Sequence, residues 1–328
     1  MKTQASKFFT LSFAYLLGTI IWVLIFVEEP ISFMEGNARR TSIFLKSLTS
    51  GGYNFSFIVV AIVMSRVYHG WRSVGWGQVL TATLLTLVGV AIFMAAFATV
   101  ETSFAMVMPF YADGCFAEMD RWLLLGQDAW VVAHRYFPEL GAPLVDLIYG
   151  RIWIPLVFLF PFYLVLFDKN QERVARYILL YFVAFFIVGN VLALMFLSVG
   201  PVYYDTYYGE DTFARLQGAL EGSGVSTSHI GRVQTILGDI FFANDGTQAS
   251  DIAAFPSVHV SSIMVVALYA FERNRVLGVI MSAYVGAILF LSVYTGYHWL
   301  VDGLASILIM IVANFWLTKS RLTKLLST

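Results

Sequence analysis

The sequence predicts an all-α membrane protein, a polytopic helical bundle with about eight transmembrane helices. Hydrophobic residues make up 59% of the 328 residues and charged residues only 12%, and the mean hydropathy is +0.76. This balance is far from that of soluble globular domains. Apolar stretches long enough to span a bilayer recur along the chain, and Lys and Arg concentrate in alternate connections between them. These three observations indicate helices that cross a membrane repeatedly.

Eight apolar runs are candidates for crossing a hydrocarbon core of about 30 Å, and the second and sixth of them are short. In chain order they lie near residues 8–27, 53–67, 79–97, 152–167, 177–199, 257–271, 276–295 and 299–317. The first run leads into Glu28-Glu29-Pro30 without a small-residue cleavage site. We therefore expect it to be a retained anchor rather than a signal peptide.

No Gly-, Pro- or Ser-rich linker separates a soluble part from the membrane part, so we expect a single integral membrane domain over residues 1–328. Residues 1–100 would hold accessory helices one to three. Residues 101–151 would form an outward interfacial segment, and residues 152–328 would form the core of helices four to eight.

Two polar segments between the apolar runs are also informative. Residues 120–130 combine an N-cap candidate, Asp120, with apolar residues at helical spacing and two Trp. They predict either an interfacial helix on the outer leaflet or, equally, a helix packed against the bundle. Residues 200–255 form the most polar part of the chain. Because they directly precede Pro256, we expect them to form a lid or wall of a site.

The distribution of charge predicts the orientation of the chain. The N-terminus, the stretches 66–72, 168–176 and 272–275, and the tail from Lys319 hold twelve of the twenty Lys and Arg against three acids. The positive-inside rule then makes both termini cytoplasmic and turns the other long connections outward or towards a lumen. Short connections favour a bacterial inner-membrane protein, whose site would face the periplasm, the cell exterior or a lumen.

Several classes of partner are not expected from the sequence. The lone Cys115 permits no internal disulfide, and no Cys/His cluster has metal-ligand spacing, so neither a metal nor another cofactor is expected. No basic stripe is present, so we expect no nucleic-acid partner.

Three ionisable residues near the ends of apolar runs indicate phosphoryl chemistry, because such groups in membrane helices are usually functional. His298 and Asp302 are four apart at a helix start, so the carboxylate can accept one imidazole N–H. The neutral imidazole can then attack phosphorus and form a phosphohistidine, while His259 acts as general acid and then as general base. A single such His could be a structural hydrogen-bonding residue, but the joint pattern favours catalysis. The predicted orientation brings all three residues to one non-cytoplasmic face.

The residues around His259 predict how a phosphate would bind. Ser257 is a plausible N-cap, and Pro256 prevents the helix from starting earlier. Free N–H groups at that helix start would form a phosphate cradle. We add Tyr203, Tyr204 and Arg232 from the preceding polar segment as candidate substrate-binding residues. Phosphoryl transfer through a phosphohistidine needs no metal.

With these residues established, the region 152–317 resembles the type-2 phosphatidic acid phosphatase superfamily. The second motif of that superfamily, Pro-Ser-Gly-His, is similar to Pro256-Ser257-Val258-His259, and the third ends in a His and an Asp spaced like His298 and Asp302. The resemblance implies a helical bundle in which His298 is the nucleophile, Asp302 its partner and His259 the acid/base.

Within that superfamily the chain resembles the aureobasidin-resistance branch of inositol phosphorylceramide synthases and, more distantly, sphingomyelin synthases. The lipid phosphatases carry an Arg where this chain has Ser292, and their first motif, a Lys followed by Arg-Pro, is not found. The synthase branch also lacks these phosphate-clamping cations. Residues 200–204 are similar to a Pro-rich aromatic segment of that branch.

The resemblance implies a membrane lipid phosphotransferase. A phospholipid would donate its phosphorylated headgroup, with inositol phosphate favoured, to His298, and a lipid hydroxyl such as that of a ceramide or diacylglycerol would accept it. The competing enzyme is a hydrolase that uses the same triad on a lipid or polyprenyl phosphate. A non-enzymatic lipid-binding or scaffold protein is the third hypothesis, and it predicts that His298→Ala leaves function intact.

Overall fold

A computed structural model describes residues 1–50, 56–70, 74–242 and 252–327 of the chain. Within these ranges the secondary structure is helical and no residue forms a strand, so the predicted all-α fold is confirmed. The α-helices are Lys2–Phe26, Pro30–Ser50, Ser56–Tyr68, Trp76–Glu101, Phe104–Val107, Asp113–Leu123, Ala129–Tyr136, Ala142–Val145, Trp153–Phe158, Phe160–Phe167, Gln171–Phe182, Ala193–Met195, Pro201–Tyr208, Ala214–Gly222, His229–Phe242, Val258–Arg273, Arg275–Tyr294, Leu300–Lys319 and Arg321–Ser327.

Six helical segments among the described residues are long and apolar enough to cross a membrane, which makes this an integral membrane protein. They are Lys2–Phe26, Trp76–Val107, Ala142–Phe167, Gln171–Met195, Arg275–Tyr294 and Leu300–Lys319. Two of the eight predicted spans form helices that are shorter than the six segments above. The second and sixth predicted runs form Ser56–Tyr68, of 13 residues, and Val258–Arg273, of 16 residues; residues 53–55 of the second lie outside the described residues. At 1.5 Å per residue the longer helix spans about 24 Å, short of a core of about 30 Å.

The predicted helix that starts at Asp120 is wrong in its boundaries. Two short helices, Asp113–Leu123 and Ala129–Tyr136, flank a turn instead. In that turn Leu125 has φ 54° and Gly126 has φ 90°, and a right-handed helix cannot continue through such residues. Asp120 therefore lies inside the first helix, which we name the acidic helix, rather than at an N-cap.

The polar 200–255 segment is largely helical. Its described part contains Pro201–Tyr208, Ala214–Gly222 and His229–Phe242, while residues 243–251 lie outside the described residues. Gly200 precedes the first of these helices with φ 79°, and a Cβ at this position would overlap the carbonyl oxygen of Tyr297. Glycine is required there by both the backbone conformation and the close approach.

The described helices form two compact units. The first comprises Met1–Val100, Phe158–Leu179 and Trp316–Thr328. Its interior includes the rings of Phe8 and Phe93, whose centroids are 6.5 Å apart. None of the predicted site residues belongs to this unit.

The second unit comprises Glu101–Val157 and Leu180–Phe315 and contains every predicted site residue. Val258–Arg273, which we name the His259 helix, packs against the following helix Arg275–Tyr294. Leu300–Lys319, which we name the Asp302 helix, also approaches that neighbour closely. A Cβ at Gly303 would overlap the side chain of Leu289, so the glycine next to Asp302 permits this packing.

Candidate active site

The His259 helix begins at a side-chain cap. Ser257 is the N-cap, and its Oγ accepts a hydrogen bond from the N–H of Val260 at 3.4 Å, which confirms the predicted cap. The N–H groups of Val258 and His259 have no acceptor among the described residues, as is usual in a first helical turn. These donors are available to an anion at the helix start.

His298 is buried, and its contacts define its tautomer. The Nδ1 atom lies 2.6 Å from the carbonyl oxygen of Ala254 and 3.4 Å from Oδ2 of Asp302. Because a carbonyl oxygen can only accept, Nδ1 carries a proton, and Nε2 of the neutral ring keeps its lone pair. Nε2 lies 3.3 Å from the hydroxyl oxygen of Ser257. In its neutral form the imidazole thus presents the lone pair of Nε2 towards the start of the His259 helix.

Asp302 is fully buried beside this imidazole, but its hydrogen bonds differ from those predicted. The closest acceptor for the ring proton of His298 is the carbonyl oxygen of Ala254 rather than the carboxylate. Oδ2 of Asp302 instead accepts the backbone N–H of Trp299 at 2.9 Å, and Oδ1 has no partner in the described part of the chain. At 3.4 Å the carboxylate is close enough to stabilise positive charge that develops on the imidazole.

The ring of His259 contacts two aromatic rings. Tyr149 stacks on one side with a centroid distance of 4.7 Å and an interplanar angle of 22°, and the Trp153 ring lies at 4.5 Å and 38°. Trp153 also donates its indole N–H to the carbonyl oxygen of His259 at 3.1 Å. The His298 ring is 5.8 Å away, edge-on. The two imidazoles therefore lie next to each other in one site.

A buried carboxylate of the acidic helix organises the neighbourhood of His298. Oδ1 of Asp113 accepts hydrogen bonds from the Ser198 hydroxyl at 2.6 Å, the Gly200 N–H at 2.9 Å and the Trp299 indole N–H at 3.1 Å. Oδ2 accepts the Val199 N–H at 2.9 Å and a tyrosine hydroxyl at 3.1 Å. Five donors thus satisfy a fully buried charge. Because Trp299 is one of them, Asp113 fixes the residue next to His298.

A second carboxylate of the acidic helix caps the Asp302 helix. Asp120 accepts the N–H groups of Leu300 at 2.7 Å and Val301 at 2.9 Å, two of the donors that a helix start leaves unpaired. Burial raises the pKa of Asp120 to about 6, although the two backbone hydrogen bonds act in the opposite direction. The start of the helix that carries Asp302 therefore depends on a side chain distant in sequence.

The three predicted substrate-binding residues of the polar segment differ in their contacts with the neighbourhood of His298. Tyr204 packs edge-on against Trp299 at 6.2 Å and is half-buried. Tyr203 is buried, donates its hydroxyl to a backbone carbonyl of His229–Phe242 at 2.8 Å, and has its pKa raised by burial. Arg232 is exposed and donates to a backbone carbonyl of the preceding turn at 2.6 Å. Tyr204 is thus the one of these three that packs against a neighbour of His298.

Sequence reasoning missed four residues that surround the histidines. Asp113 and Asp120 are seven apart, so they share one face of the acidic helix, and Tyr149 and Trp153 are four apart, so both reach His259. Spacings of seven and four, which place residues on one helical face, were the available signal. Asp146 acts in the same way elsewhere in the unit, since it accepts the first two N–H groups of His229–Phe242.

No group of three or more His, Cys, Asp or Glu side chains is placed to hold a metal ion within the described ranges. Cys115 is exposed and free. The polar groups near the two histidines are carboxylates, hydroxyls and backbone N–H groups.

The helical fold and its apolar spans define an integral membrane protein of the all-α class. The family model of the PAP2 superfamily matches residues 115–316, more than half of the chain. The chain therefore belongs to the PAP2 superfamily. No curated protein and no solved structure gives a significant match. Membership supports an enzyme with phosphatase or phosphotransferase activity on lipid-like substrates.

Proposed function

We propose that this protein is a membrane lipid phosphotransferase that moves a phospholipid headgroup to a lipid hydroxyl through a phosphohistidine. The observation that carries the proposal is the position of His298, whose Nδ1 lies 2.6 Å from the Ala254 carbonyl oxygen and whose Nε2 faces the start of the His259 helix. In the neutral ring Nδ1 then carries the proton and Nε2 keeps its lone pair. Such a nitrogen is a nucleophile for phosphorus. The resemblance to inositol phosphorylceramide synthases makes inositol phosphate the favoured headgroup.

In the first half-reaction Nε2 of His298 attacks the phosphorus of the donor lipid. The new N–P bond forms as the P–O bond to the diacylglycerol oxygen breaks, and His259 delivers a proton to the leaving alkoxide. Asp302 stabilises the positive charge on the substituted imidazole. The N–H groups of Val258 and His259 donate to the phosphoryl oxygens at the helix start.

In the second half-reaction His259 removes the proton from the acceptor hydroxyl as its oxygen attacks phosphorus. The N–P bond breaks and returns the lone pair to Nε2 of His298. A ceramide or diacylglycerol hydroxyl gives the transferase reaction, whereas water gives hydrolysis with the same residues. Metal chemistry has no step in this scheme.

The first experiment offers the purified protein labelled phosphatidylinositol with and without ceramide or diacylglycerol. We expect inositol phosphate to appear on the acceptor lipid, and we expect His298→Ala to abolish transfer. His229→Ala is the matched control, because that side chain is exposed and only its backbone N–H contacts Asp146. Release of the headgroup to water alone, with or without acceptor, would reject the transferase.

A second experiment traps the intermediate. Brief reaction with phosphorus-labelled donor should leave an acid-labile adduct on the wild-type protein and none on His298→Ala. His259→Asn should slow both the formation of the adduct and its discharge to the acceptor, because His259 serves as acid in the first step and as base in the second. An adduct that persists in His298→Ala would place the nucleophile elsewhere.

We also propose that both termini are cytoplasmic and that the site faces the periplasm, cell exterior or a lumen, as the Lys and Arg distribution favours. In a Cys115→Ser background, a Cys at exposed Thr227 should react with an impermeant reagent added from outside. A Cys at exposed Arg273 should react only after permeabilisation. The reverse pattern would invert the orientation.

A further inference from the structure

We propose that the hydroxyl of Tyr149 is a neutral hydrogen-bond donor to the phosphoryl group that is transferred, a role that rests on the proposed function. Tyr149 is 2% exposed, and its hydroxyl is buried with no partner in the described part of the chain. A hydroxyl in that state is costly unless a ligand pairs with it. An unpaired polar group of this kind in a native protein calls for a functional explanation.

The position of Tyr149 ties this hydroxyl to the site. Its ring stacks on His259 at 4.7 Å and lies nearly parallel to the ring of Tyr297 at 6.4 Å and 10°. Tyr297 immediately precedes His298 in the chain. Tyr149 thus contacts both the general acid/base and the segment that carries the nucleophile. It belongs to the π-helical stretch Asp146–Ile152, a geometry found frequently at functional sites.

The lack of charged donors among the described residues around the site indicates that the hydroxyl would donate to a phosphoryl oxygen. The donors described at the His259 helix start are uncharged, namely two backbone N–H groups and the Ser257 hydroxyl. The second unit, as described, has no Lys, and its Arg side chains are exposed apart from Arg121, which is paired with Asp128 at 2.6 Å. A phosphodiester anion at this place requires further donors. A buried tyrosine hydroxyl supplies one without adding a cation.

The test is Tyr149→Phe, which keeps the ring stack and removes only the oxygen. Because the hydroxyl has no described protein partner, we expect the Tm in detergent to stay the same or rise. We expect kcat/KM for transfer from phosphatidylinositol to fall ten- to hundredfold, the usual range for one hydrogen bond to a charged group. Tyr284→Phe is the matched control, because its hydroxyl is paired with the carbonyl oxygen of Ile148 at 2.6 Å. That control should lower the Tm and keep kcat/KM near the wild-type value.

Two results would overturn the proposal. A kcat/KM within twofold of wild type would show that the hydroxyl does not act on the reacting group. A Tm loss as large as that of Tyr284→Phe would show that the hydroxyl is a structural partner, whatever the activity.

A binding measurement separates this proposal from the proposed function. Orthovanadate, a phosphate analogue, should raise the Tm of the wild-type protein, and Tyr149→Phe should lose at least half of that increase. This result would support the donor role even if no lipid transfer were found. Equal increases in both proteins would reject it, even if transfer were established.

Discussion

The carboxylate of Asp113 offers the sharpest test of how the site is supported. In Asp113→Asn an NH2 group replaces one of the two oxygens, and the amide oxygen can still serve the three donors on the Oδ1 side. The NH2 group then faces the Val199 N–H and the Tyr208 hydroxyl. The hydroxyl can rotate and accept, but the backbone N–H cannot, so one buried donor is orphaned.

The expected cost follows from these contacts. An unsatisfied buried donor costs about 1–3 kcal/mol, and hydrogen bonds to a charged group are each worth about 1.5–3 kcal/mol. We therefore expect Asp113→Asn to lower the free energy of unfolding by about 2–4 kcal/mol. Asp113→Ala orphans the N–H groups of Val199 and Gly200, whereas the Trp299 indole N–H keeps the Ser198 hydroxyl as acceptor at 3.0 Å. We expect it to cost about 3–6 kcal/mol. Against a total of about 5–15 kcal/mol, either loss is large.

The assay is denaturant unfolding in mild detergent, followed by circular dichroism. Glu118→Gln is the matched control, because Glu118 is an exposed acid on the same helix and its change should stay within about 0.5 kcal/mol. We also expect Asp113→Asn to lower transfer activity, since Trp299 adjoins His298. Equal stabilities of Asp113→Asn and Glu118→Gln would refute the reasoning that this carboxylate anchors the site.

Further predictions concern the other groups that shape the site. The pKa of about 6 for buried Asp120 lies above the ordinary value near 3.9. The folded state therefore binds a proton more tightly than the unfolded state does. As the pH rises from about 4 to 6, the free energy of unfolding should fall by up to about 3 kcal/mol. Asp120→Asn should flatten the difference in Tm between pH 5 and pH 7, and an unchanged slope would assign that dependence to another group. Gly200→Ala should destabilise the protein by about 1–3 kcal/mol because of its φ of 79°. Gly218→Ala, with open space around the new Cβ, should instead stabilise it by about 0.5–1 kcal/mol. Similar Tm changes in both variants would contradict the backbone argument. Ser257→Ala should lower the free energy of unfolding by about 1 kcal/mol through loss of the helix cap, and Ser257→Asn should recover most of that loss. Equal unfolding midpoints for the two variants would argue against the cap.

The parts of the structure that depend on local sequence were predictable. Apolar runs of about 20 residues became long helices, and Ser257 after Pro256 became the start of a helix. The spacing of four between His298 and Asp302 placed Nδ1 and Oδ2 3.4 Å apart. The long helices and the cap follow from neighbouring residues and helical geometry. His298 lies before the helix that begins at Leu300, so its approach to Asp302 depends on the preceding turn.

The parts that depend on distant contacts were not predictable from one sequence. The acceptor of the His298 ring proton is a backbone carbonyl at Ala254, and every residue has such a carbonyl, so no side-chain pattern reveals it. The helix expected from Asp120 was interrupted by left-handed Leu125 and Gly126, and Leu at positive φ is rare.

The two carboxylates of the acidic helix have a consequence for biogenesis. Asp120 is separated from its donors Leu300 and Val301 by 180 and 181 residues, and Asp113 from the Trp299 indole by 186. During synthesis these acids exist long before their partners leave the ribosome. His298 and Asp302 lie in that same late segment. The neighbourhood of the two histidines is therefore completed only when the helix Leu300–Lys319 has been made, so under the proposed function a shorter nascent chain would lack the residues that act on lipid.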